Sequence, residues 1–343
     1  MDFTLDTEQK ALRDAVRDML GRRVPADEIG PATHDAELWK SLAEMGLVAL
    51  PFEEGAGPVE VMLVAEELGR SRTRTPYAET LLTGHVLSAA GQADLVERIG
   101  AGEALVVPAL AEPSRAWGTT PAVTAAETDG GWVLTGTKDP VPWAEAATHL
   151  VVSADRGLFL VEGPKVAGSG VVFDGTPATF LGDDPALLTT GVNHATVALC
   201  AEALGAMAAA LDLTVGYLKS RKQFGVPLMT FQTLSHRAAN LYVQLELARS
   251  TVQYAAMSLA ESGGTDPADA AMVSRTKVVV GQAGRLIGQE AIQLHGGIGV
   301  TAEYAVGHLT ARLTAIERSY GDTRQHLAAL ARSLTDHASV DVI

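Results

Sequence analysis

Residues 197–218 read VALCAEALGAMAAALDLTVGYL, and they include the longest apolar region of the chain. Large apolar residues recur there every three or four positions, at Val197, Cys200, Leu204, Met207, Leu211, Val215 and Leu218. This spacing places them in one stripe along about six helical turns and predicts a long helix buried along that face. Because Glu202 and Asp212 interrupt the apolar region, we expect no membrane span.

The helical pattern continues towards the C-terminus. A second long helix is marked by Leu234, Ala238, Leu241, Leu245, Ala248 and Val252. It closes at the glycines 263–264, and Asp266-Pro267 opens a third helix that continues to about Leu294. The glycine cluster at 296–299 interrupts the pattern, and a last helical stretch extends to about Leu334. Helices this long and rich in Ala favour antiparallel packing in a bundle.

The N-terminal part of the chain is also helical in pattern. Its first helix is marked by Leu12, Val16 and Met19. Asp6 or Thr7 is expected to cap that helix, because both side chains can accept a hydrogen bond from a first-turn amide. A second helix is predicted over Ala36–Glu44. A third runs through Val59–Leu68 and is expected to end at Gly69, in the left-handed conformation that glycine adopts readily.

Between these helical parts the pattern changes to short, Val-rich apolar runs separated by turn-forming residues. The runs are Ala104–Leu110, Trp132–Thr135, Leu150–Ser153, Leu158–Val161 and Gly170–Phe173. They predict a small antiparallel β-domain. The predicted fold class is therefore mainly α with a central β-domain. We divide the chain into an N-terminal helical domain (1–104), the β-domain (105–184) and a C-terminal four-helix-bundle domain (185–343).

Composition excludes several classes of function. The 343 residues contain 41 Asp and Glu against 26 Lys and Arg, a net charge of −15, which argues against an electrostatic nucleic-acid binder. The single cysteine, Cys200, excludes an intramolecular disulfide and a cysteine-built zinc site. The nine histidines lack metal-ligand spacing, so no metal is predicted. The acidic first residues do not resemble a signal peptide, and we expect a cytoplasmic protein.

A basic stretch follows the long apolar helix, and it allows two interpretations. Residues 221–225 read RKQFG. They could form a solvated helix end whose positive charge meets the helix dipole. Alternatively they form an anion site, in which the guanidinium of Arg221 holds two phosphate oxygens and Phe224 offers a flat apolar surface to a ring.

A glycine-rich stretch, QLHGGIG at residues 293–299, allows two interpretations as well. Three glycines in four positions let the backbone approach a ligand and expose amides to it. The same glycines would also form a simple helix-breaking turn. His295 alone is predicted to be a packed or hydrogen-bonded histidine rather than a catalytic base.

Together with the helix–β–helix order, these stretches resemble the acyl-CoA dehydrogenase family. The segments RKQFGVPLMTFQTLSHRAANLYVQLELAR (221–249) and QLHGGIGVTAEYAVGHLTAR (293–312) are similar to its C-terminal signature. FTLDTEQKALRD, LWKSLAEMGLVAL and VAEELGR are similar to its opening helices. The resemblance spans nearly the whole chain. It implies FAD as cofactor, α,β-dehydrogenation of an acyl-CoA thioester, and a homotetramer or an α2β2 heterotetramer with a homologous dehydrogenase.

The resemblance also implies roles for individual residues. Arg221 matches an arginine that reaches the FAD pyrophosphate of a neighbouring subunit, and Phe224 matches an aromatic position beside that nucleotide. Gln293 and Gly297 match contacts to the same dinucleotide. Thr323 and Gln325 fall where the family contacts the adenine end of FAD.

The family's catalytic base is missing from its usual places. The family needs a carboxylate over the thioester's Cα, and its usual position, just after Tyr320, is Gly321 here. The alternative position used by some members corresponds to about Ala195. Asp322 is then the nearest carboxylate in the motif, although a one-residue shift on a helix rotates a side chain by about 100°. Glu202 is predicted to be a buried or interface carboxylate paired with an arginine.

The β-domain departs from the family pattern too. The family's acidic, Pro- and Gly-rich loop appears only as Ala111–Ser114, and the strand that lies against the flavin ring is replaced by Asp139–Trp143. The two prolines in that segment remove backbone donors. Trp143 is either a displaced flavin-stacking residue or a residue of the β-domain core.

Three functions therefore stay open. The first is a working FAD-dependent acyl-CoA dehydrogenase that uses Asp322 as its base. The second is a non-catalytic partner subunit that lends Arg221 and Gln293 to the FAD of a complete homologue. The third is a flavin oxidase or monooxygenase relative, in which a weaker base such as Asp suits a more acidic substrate.

Overall fold

The computed structural model describes residues 4–23, 34–53 and 55–332. Five helices open the chain: α1 (Thr7–Arg23), α2 (Ala36–Glu44), α3 (Pro58–Arg70), α4 (Tyr77–Ala89) and α5 (Ala93–Gly100). Asp6 caps α1 as expected, because its Oδ1 accepts the backbone N–H of Gln9 at 2.8 Å. The N-terminal part is helical, as the sequence predicts.

Contrary to the expectation from the sequence, helix α3 does not end at a left-handed Gly69. The helix continues through Gly69 to Arg70, and the residue with positive φ is Arg72. Gly69 is instead a point of contact with a later helix, since a Cβ there would lie 1.9 Å from the carbonyl oxygen of Glu202. Gly205 mirrors it, with a Cβ position 1.8 Å from the carbonyl oxygen of Glu66.

A seven-stranded sheet forms the middle of the molecule. Its strands are β1 (Val106–Ala109), β2 (Thr124–Thr128), β3 (Gly131–Lys138), β4 (His149–Ala154), β5 (Gly157–Glu162), β6 (Val166–Ala167) and β7 (Gly170–Gly182). Their order is β1-β4-β5-β7-β3-β2, with β6 beside β7. The sheet is mixed rather than purely antiparallel, because β1 pairs parallel with β4. The long crossover that a parallel pair needs is supplied by the chain through β2 and β3.

The C-terminal part is a bundle of long helices. Its elements are α6 (Pro185–Ser220), the hairpin β8 (Lys222–Gln223) and β9 (Val226–Pro227), α7 (Gln232–Ser262), α8 (Pro267–His295), α9 (Ala305–Arg318) and α10 (Thr323–Arg332). Helix α6 is long and apolar enough to cross a membrane by length and composition, yet 83% of its most apolar window is buried inside the protein. It is the central helix of the core. The fold class, mainly α with a central β-domain, is confirmed.

Two features of the bundle bear on the site. Gly263 closes α7 with φ +71, and Asp266 caps α8, both as the sequence predicts. The last helical stretch is not continuous, however, because a turn at residues 319–322 separates α9 from α10. Tyr320 and Gly321 have φ of +54 and +100 in that turn, which a helix cannot accommodate. Residues 333–334 of the predicted stretch lie outside the described part of the chain.

Candidate functional site

A cleft of about 560 Å³ opens where the three parts of the chain meet. Arg74 and Glu79 line it at the start of α4, and Arg312, Ser319 and Tyr320 line it from α9 and the following turn. The β-domain contributes two segments, 110–119 and 139–143. A concave site between domains, lined by both charged and aromatic side chains, is a usual setting for a small-molecule ligand.

Gly321, at the family's base position, is crowded by its neighbours. A Cβ there would lie 3.0 Å from Nε2 of His326 and 3.3 Å from Cδ1 of Trp117. Trp117 also packs edge-on against the ring of Tyr320, at 5.3 Å between centroids. A side chain at this position would therefore be tight against its neighbours, and the φ of +100 favours glycine.

Asp322 has a structural partner at the start of α10. Its Oδ1 accepts the N–H of Gln325 at 2.8 Å, and the Gln325 side chain accepts the N–H of Asp322 at 2.9 Å. This reciprocal pair is a capping box. Because Asp322 lies in a turn, the helical rotation argument does not apply to it. The residue does not line the cleft, and its catalytic role stays a prediction.

Glu202 is buried and paired with an arginine, as predicted. Arg312 donates to both of its carboxylate oxygens, at 2.5 and 2.7 Å. The pair joins α6 to α9 and places the Arg312 guanidinium on the cleft wall. The charge of Glu202 is thereby compensated inside the protein, and Glu202 is a structural carboxylate.

A second buried ion pair holds the loop that carries Trp117. The ammonium of Lys138 contacts Glu112 and donates to Ser153 Oγ at 2.9 Å, and Glu112 also accepts the N–H of Ala122 at 3.1 Å. Burial lowers the pKa of Lys138, and Glu112 opposes that effect. The pair fixes both ends of the loop and so positions Trp117 over Tyr320.

Trp143 lies on the cleft wall and also packs against the hydrophobic core. It is half-buried with φ +65, and the guanidinium of Arg74 lies 5.7 Å from its ring centroid. This segment carries the two prolines that replace the family's strand, and Pro140 and Pro142 line the cleft as well. They present no N–H to a ligand.

Sequence reasoning missed Lys277, which holds the turn between α9 and α10. Its buried ammonium donates to the carbonyl oxygens of Ile316 and Ser319, both at 2.6 Å. One turn further along α8, Gly281 lets Thr323 approach closely, since a Cβ would lie 2.5 Å from its Oγ1. A single lysine in a helical sequence pattern does not indicate such a contact with distant carbonyl oxygens.

Four predicted cofactor residues lie together at one end of the bundle. Arg221 follows α6, and Gln293 and Gly297 lie at the end of α8. These ends are adjacent, because the rings of Tyr217 and His295 are 4.7 Å apart. Phe224 is 90% exposed at the tip of the β8–β9 hairpin, and a Cβ on Gly297 would meet only open space. His295 is buried and donates to the Ala291 carbonyl at 2.7 Å, so the predicted packed histidine is correct.

The other two predicted cofactor residues lie elsewhere. Thr323 begins α10 beside Gly281, and Gln325 is occupied in the capping box. Gly281 and Gln293 are twelve residues apart on α8, which is about 18 Å of helix. The fold therefore separates the predicted site into two halves. Arg221, Phe224, Gln293 and Gly297 form one, here called the donor end; Thr323 and Gln325 form the other.

Comparison with known proteins identifies the family of this chain. Residues 6–101 match the acyl-CoA dehydrogenase N-terminal domain, and residues 186–335 match the acyl-CoA dehydrogenase C-terminal domain. The acyl-CoA dehydrogenase FadE28 of Mycobacterium tuberculosis is 32% identical over 269 residues, covering 71% of this chain and 74% of FadE28. The chain belongs to the acyl-CoA dehydrogenase family. The family's members are oxidoreductases that act on the CH–CH group of acyl-CoA thioesters.

Two further members of the acyl-CoA dehydrogenase family match almost end to end. IpdE2 of Mycolicibacterium smegmatis is 28% identical over 340 residues, covering 95% of this chain and 98% of IpdE2. The solved structure of a variant of the Tcur3481–Tcur3483 steroid ACAD is 30% identical with a TM-score of 0.85, covering 97% of this chain and 99% of that one. The family resemblance predicted from the sequence is confirmed.

Proposed function

We propose that this chain is a partner subunit of an FAD-dependent acyl-CoA dehydrogenase, and that its donor end completes the FAD site of a homologous subunit. The observation that carries the proposal is the position of the donor end. Its four residues are exposed at one end of the bundle, and Gln293 lies about 18 Å along α8 from Gly281, the residue that Thr323 approaches. We infer from this separation that the donor end and the Thr323 half serve different FAD molecules.

The residues of the donor end fit an FAD pyrophosphate and its flanking rings. Arg221 ends α6 with an exposed guanidinium, which can bind two phosphate oxygens at once. Phe224 projects from a two-residue hairpin turn in which it and Gly225 have φ of +54 and +82. This turn holds an aromatic face in solvent, where a ring of the dinucleotide could stack. Gln293 and the backbone at Gly297 are exposed beside them.

The chain's own half of the site supports a partner role rather than independent catalysis. The base position is Gly321, whose positive φ favours glycine and which Trp117 and His326 crowd. The nearest carboxylate of the motif, Asp322, caps α10. Two prolines stand where the family offers backbone hydrogen bonds to the flavin. The Cα proton of a substrate would therefore be taken by a carboxylate of the homologous subunit.

Exposed apolar side chains support an assembly with such a subunit. They include Tyr242, Val243, Leu247 and Tyr254 on α7, with Leu286 on α8. Side chains of this size on neighbouring helices are expected to be covered by another subunit. We propose an α2β2 heterotetramer, and the similarity to the Tcur3481–Tcur3483 protein, whose name combines two components, supports a mixed assembly over a homotetramer.

The test is flavin retention by the chain alone and after co-expression with a complete homologue. We expect colourless protein alone and a yellow complex. In that complex, Arg221→Ala should weaken FAD binding by about 1.5–3 kcal/mol, because a charge-assisted phosphate contact is lost. Arg221→Lys should recover only part, since an ammonium cannot form the bidentate contact. Lys219→Ala, at an exposed lysine in the last turn of α6, is the matched control.

Other results would support the alternatives. One FAD on the isolated chain, bleached by an acyl-CoA, would support an independent dehydrogenase. Bleaching by a substrate without CoA would support the oxidase or monooxygenase. Unchanged FAD affinity in both Arg221 variants would remove the donor end from the site.

A further inference from the structure

The donor end consists of two pieces that come from different helices. Arg221 and Phe224 follow α6, whereas Gln293 and Gly297 lie at the end of α8. A ligand that contacts both pieces needs them at a fixed spacing, because hydrogen bonds form only over a narrow range of distances. The residue between the two pieces is His295, which ends α8 and is 3% exposed.

The ring of His295 is held between two tyrosines. Tyr217 of α6 lies 4.7 Å from it and Tyr304, just before α9, lies 4.9 Å from it, measured between ring centroids. These distances are typical of packed aromatic rings. Nδ1 of His295 donates to the carbonyl oxygen of Ala291 at 2.7 Å, which fixes the orientation of the ring. Burial lowers the pKa of His295, so the ring is uncharged at neutral pH and does not itself attract a phosphate.

Tyr217 connects this ring to the Arg221 piece. The N–H of Arg221 donates to the carbonyl oxygen of Tyr217 at 2.8 Å, and the carbonyl oxygen of Arg221 accepts the N–H of Leu228 at 2.8 Å. The backbone of Arg221 is therefore bonded to Tyr217 on one side and to the chain just after the β8–β9 hairpin on the other. A movement of Tyr217 would displace the Arg221 guanidinium with it.

The glycine-rich segment is connected to His295 at more than one point. It begins directly after His295 and leads to Tyr304, whose ring packs against that of His295. Within it, Gly299 folds back, since a Cβ there would lie 3.0 Å from the Cβ of His295 and 2.8 Å from the carbonyl oxygen of Ile292. Gly297 lies between His295 and Gly299 in the chain, so its backbone position depends on the packing of His295.

We propose that His295 is a positioning residue for FAD: its ring sets the spacing between the Arg221 guanidinium and the backbone at Gly297. The inference rests on the proposed function, in which the donor end binds the FAD of a homologous subunit. His295 acts through its neighbours, because its own ring is buried. Without the ring, every residue of the donor end would still be present, but the two pieces would no longer be held at one spacing. A site that is loosened by about 1 Å loses much of its function.

The experiment measures the dissociation constant of FAD, by flavin fluorescence, in the complex co-expressed with a complete homologue. His295→Ala should weaken FAD binding about fivefold or more, which is part of the loss expected when a charge-assisted hydrogen bond is removed. His295→Phe keeps a flat ring between the tyrosines and should stay within about twofold of wild type. His295→Asn keeps a donor for the Ala291 carbonyl but has no ring, and it should bind FAD as weakly as the Ala variant.

Leu259→Ala is the matched control for a general loss of stability. Leu259 is buried in α7, 27 residues after Gln232, where α7 begins beside the hairpin, so it lies about 40 Å along the helix from the donor end. Its replacement should lower the free energy of unfolding and leave FAD affinity unchanged. The inference is overturned if Leu259→Ala and His295→Ala weaken FAD binding equally, or if His295→Asn binds FAD as tightly as His295→Phe.

Arg221→Ala separates this inference from the proposed function. If Arg221→Ala weakens FAD binding and His295→Ala does not, the donor end binds FAD but His295 does not position it. If neither variant changes FAD affinity, the proposed function itself fails. In the double variant, His295→Ala should have a smaller effect than it has alone, because residues that act on one contact are not additive. Fully additive effects would show that His295 acts independently of Arg221 and would overturn the inference.

Discussion

Two substitutions of Asp322 distinguish a helix-capping role from a catalytic one, because the two roles predict different effects of the same substitution. Asn caps a helix about as well as Asp, whereas Ala does not. Asp322→Asn should therefore leave stability unchanged, and Asp322→Ala should cost about 1 kcal/mol in a denaturant titration. Neither variant should change acyl-CoA turnover by the mixed complex. If Asp322 were the base, the Asn variant would instead lose about 10²–10⁴ in rate with its stability intact.

Single residues also show where sequence reasoning stopped. The motif around Tyr320 located the turn and the empty base position at Gly321. It did not reveal that Trp117 packs beside that position, because the contact joins residues about 200 positions apart in the chain.

At the scale of secondary-structure elements, the close crossing of α3 and α6 contributes to the free energy of unfolding. Gly205 faces the backbone of α3, whereas Gly216, eleven residues further along α6, faces open space. Gly205→Ala should destabilise the fold by about 2 kcal/mol or more, because the added methyl group must displace the Glu66 carbonyl. Gly216→Ala should stabilise it by up to about 1 kcal/mol, since Ala has the higher helix propensity. Both free energies of unfolding come from urea titrations, and a favourable effect at Gly205 would contradict the packing argument.

Periodicity predicted the helices well, and it assigned Gly69 to the wrong role. A glycine near the end of a helical pattern reads as a terminator. In the structure it permits two helix backbones to touch, which depends on a residue more than a hundred positions away. The break before α10 was missed likewise, because nothing in the local pattern reveals that the Lys277 ammonium holds two carbonyl oxygens of that turn.

At the scale of the whole molecule, a histidine pair makes stability depend on pH. The rings of His85 on α4 and His194 on α6 are 4.1 Å apart, and His194 donates to the Gly263 carbonyl after α7. Burial, reinforced by His194, lowers the pKa of His85 to about 3. In the unfolded chain His85 is protonated as the pH falls through about 6.5, whereas in the folded chain it stays neutral there. The free energy of unfolding therefore decreases as the pH falls through that range.

The expected loss attributable to His85 is about 2 kcal/mol between pH 7 and pH 5. Urea midpoints at the two pH values, at one protein concentration, measure it. His85→Leu should flatten the profile by that amount. His236→Leu, at an exposed histidine of α7, should leave the profile unchanged. Equal pH profiles for wild type and His85→Leu would show that the pair does not control the transition.

Assembly is tested on the exposed apolar face of α7. Leu247→Asp places a charge on a side chain that is 55% exposed in the isolated chain. If a homologous subunit covers this face, the variant should fold normally and yet fail to co-sediment with that subunit at micromolar concentration, because a buried unpaired charge is costly. Arg156→Asp, in the β4–β5 turn, should leave co-sedimentation intact.

The separation of the donor end from the Thr323 half has a consequence for evolutionary constraint. If the two parts serve different flavins, as proposed above, selection acts on them separately. Substitutions around Gly321, Trp117 and the prolines of the cleft could accumulate without harm to the enzyme, while those at Arg221, Phe224, Gln293 and Gly297 would disable the partner's catalysis. Among chains that share this Gly321, we expect the donor end to be the more conserved half. An alignment of such chains with their partner sequences would check this.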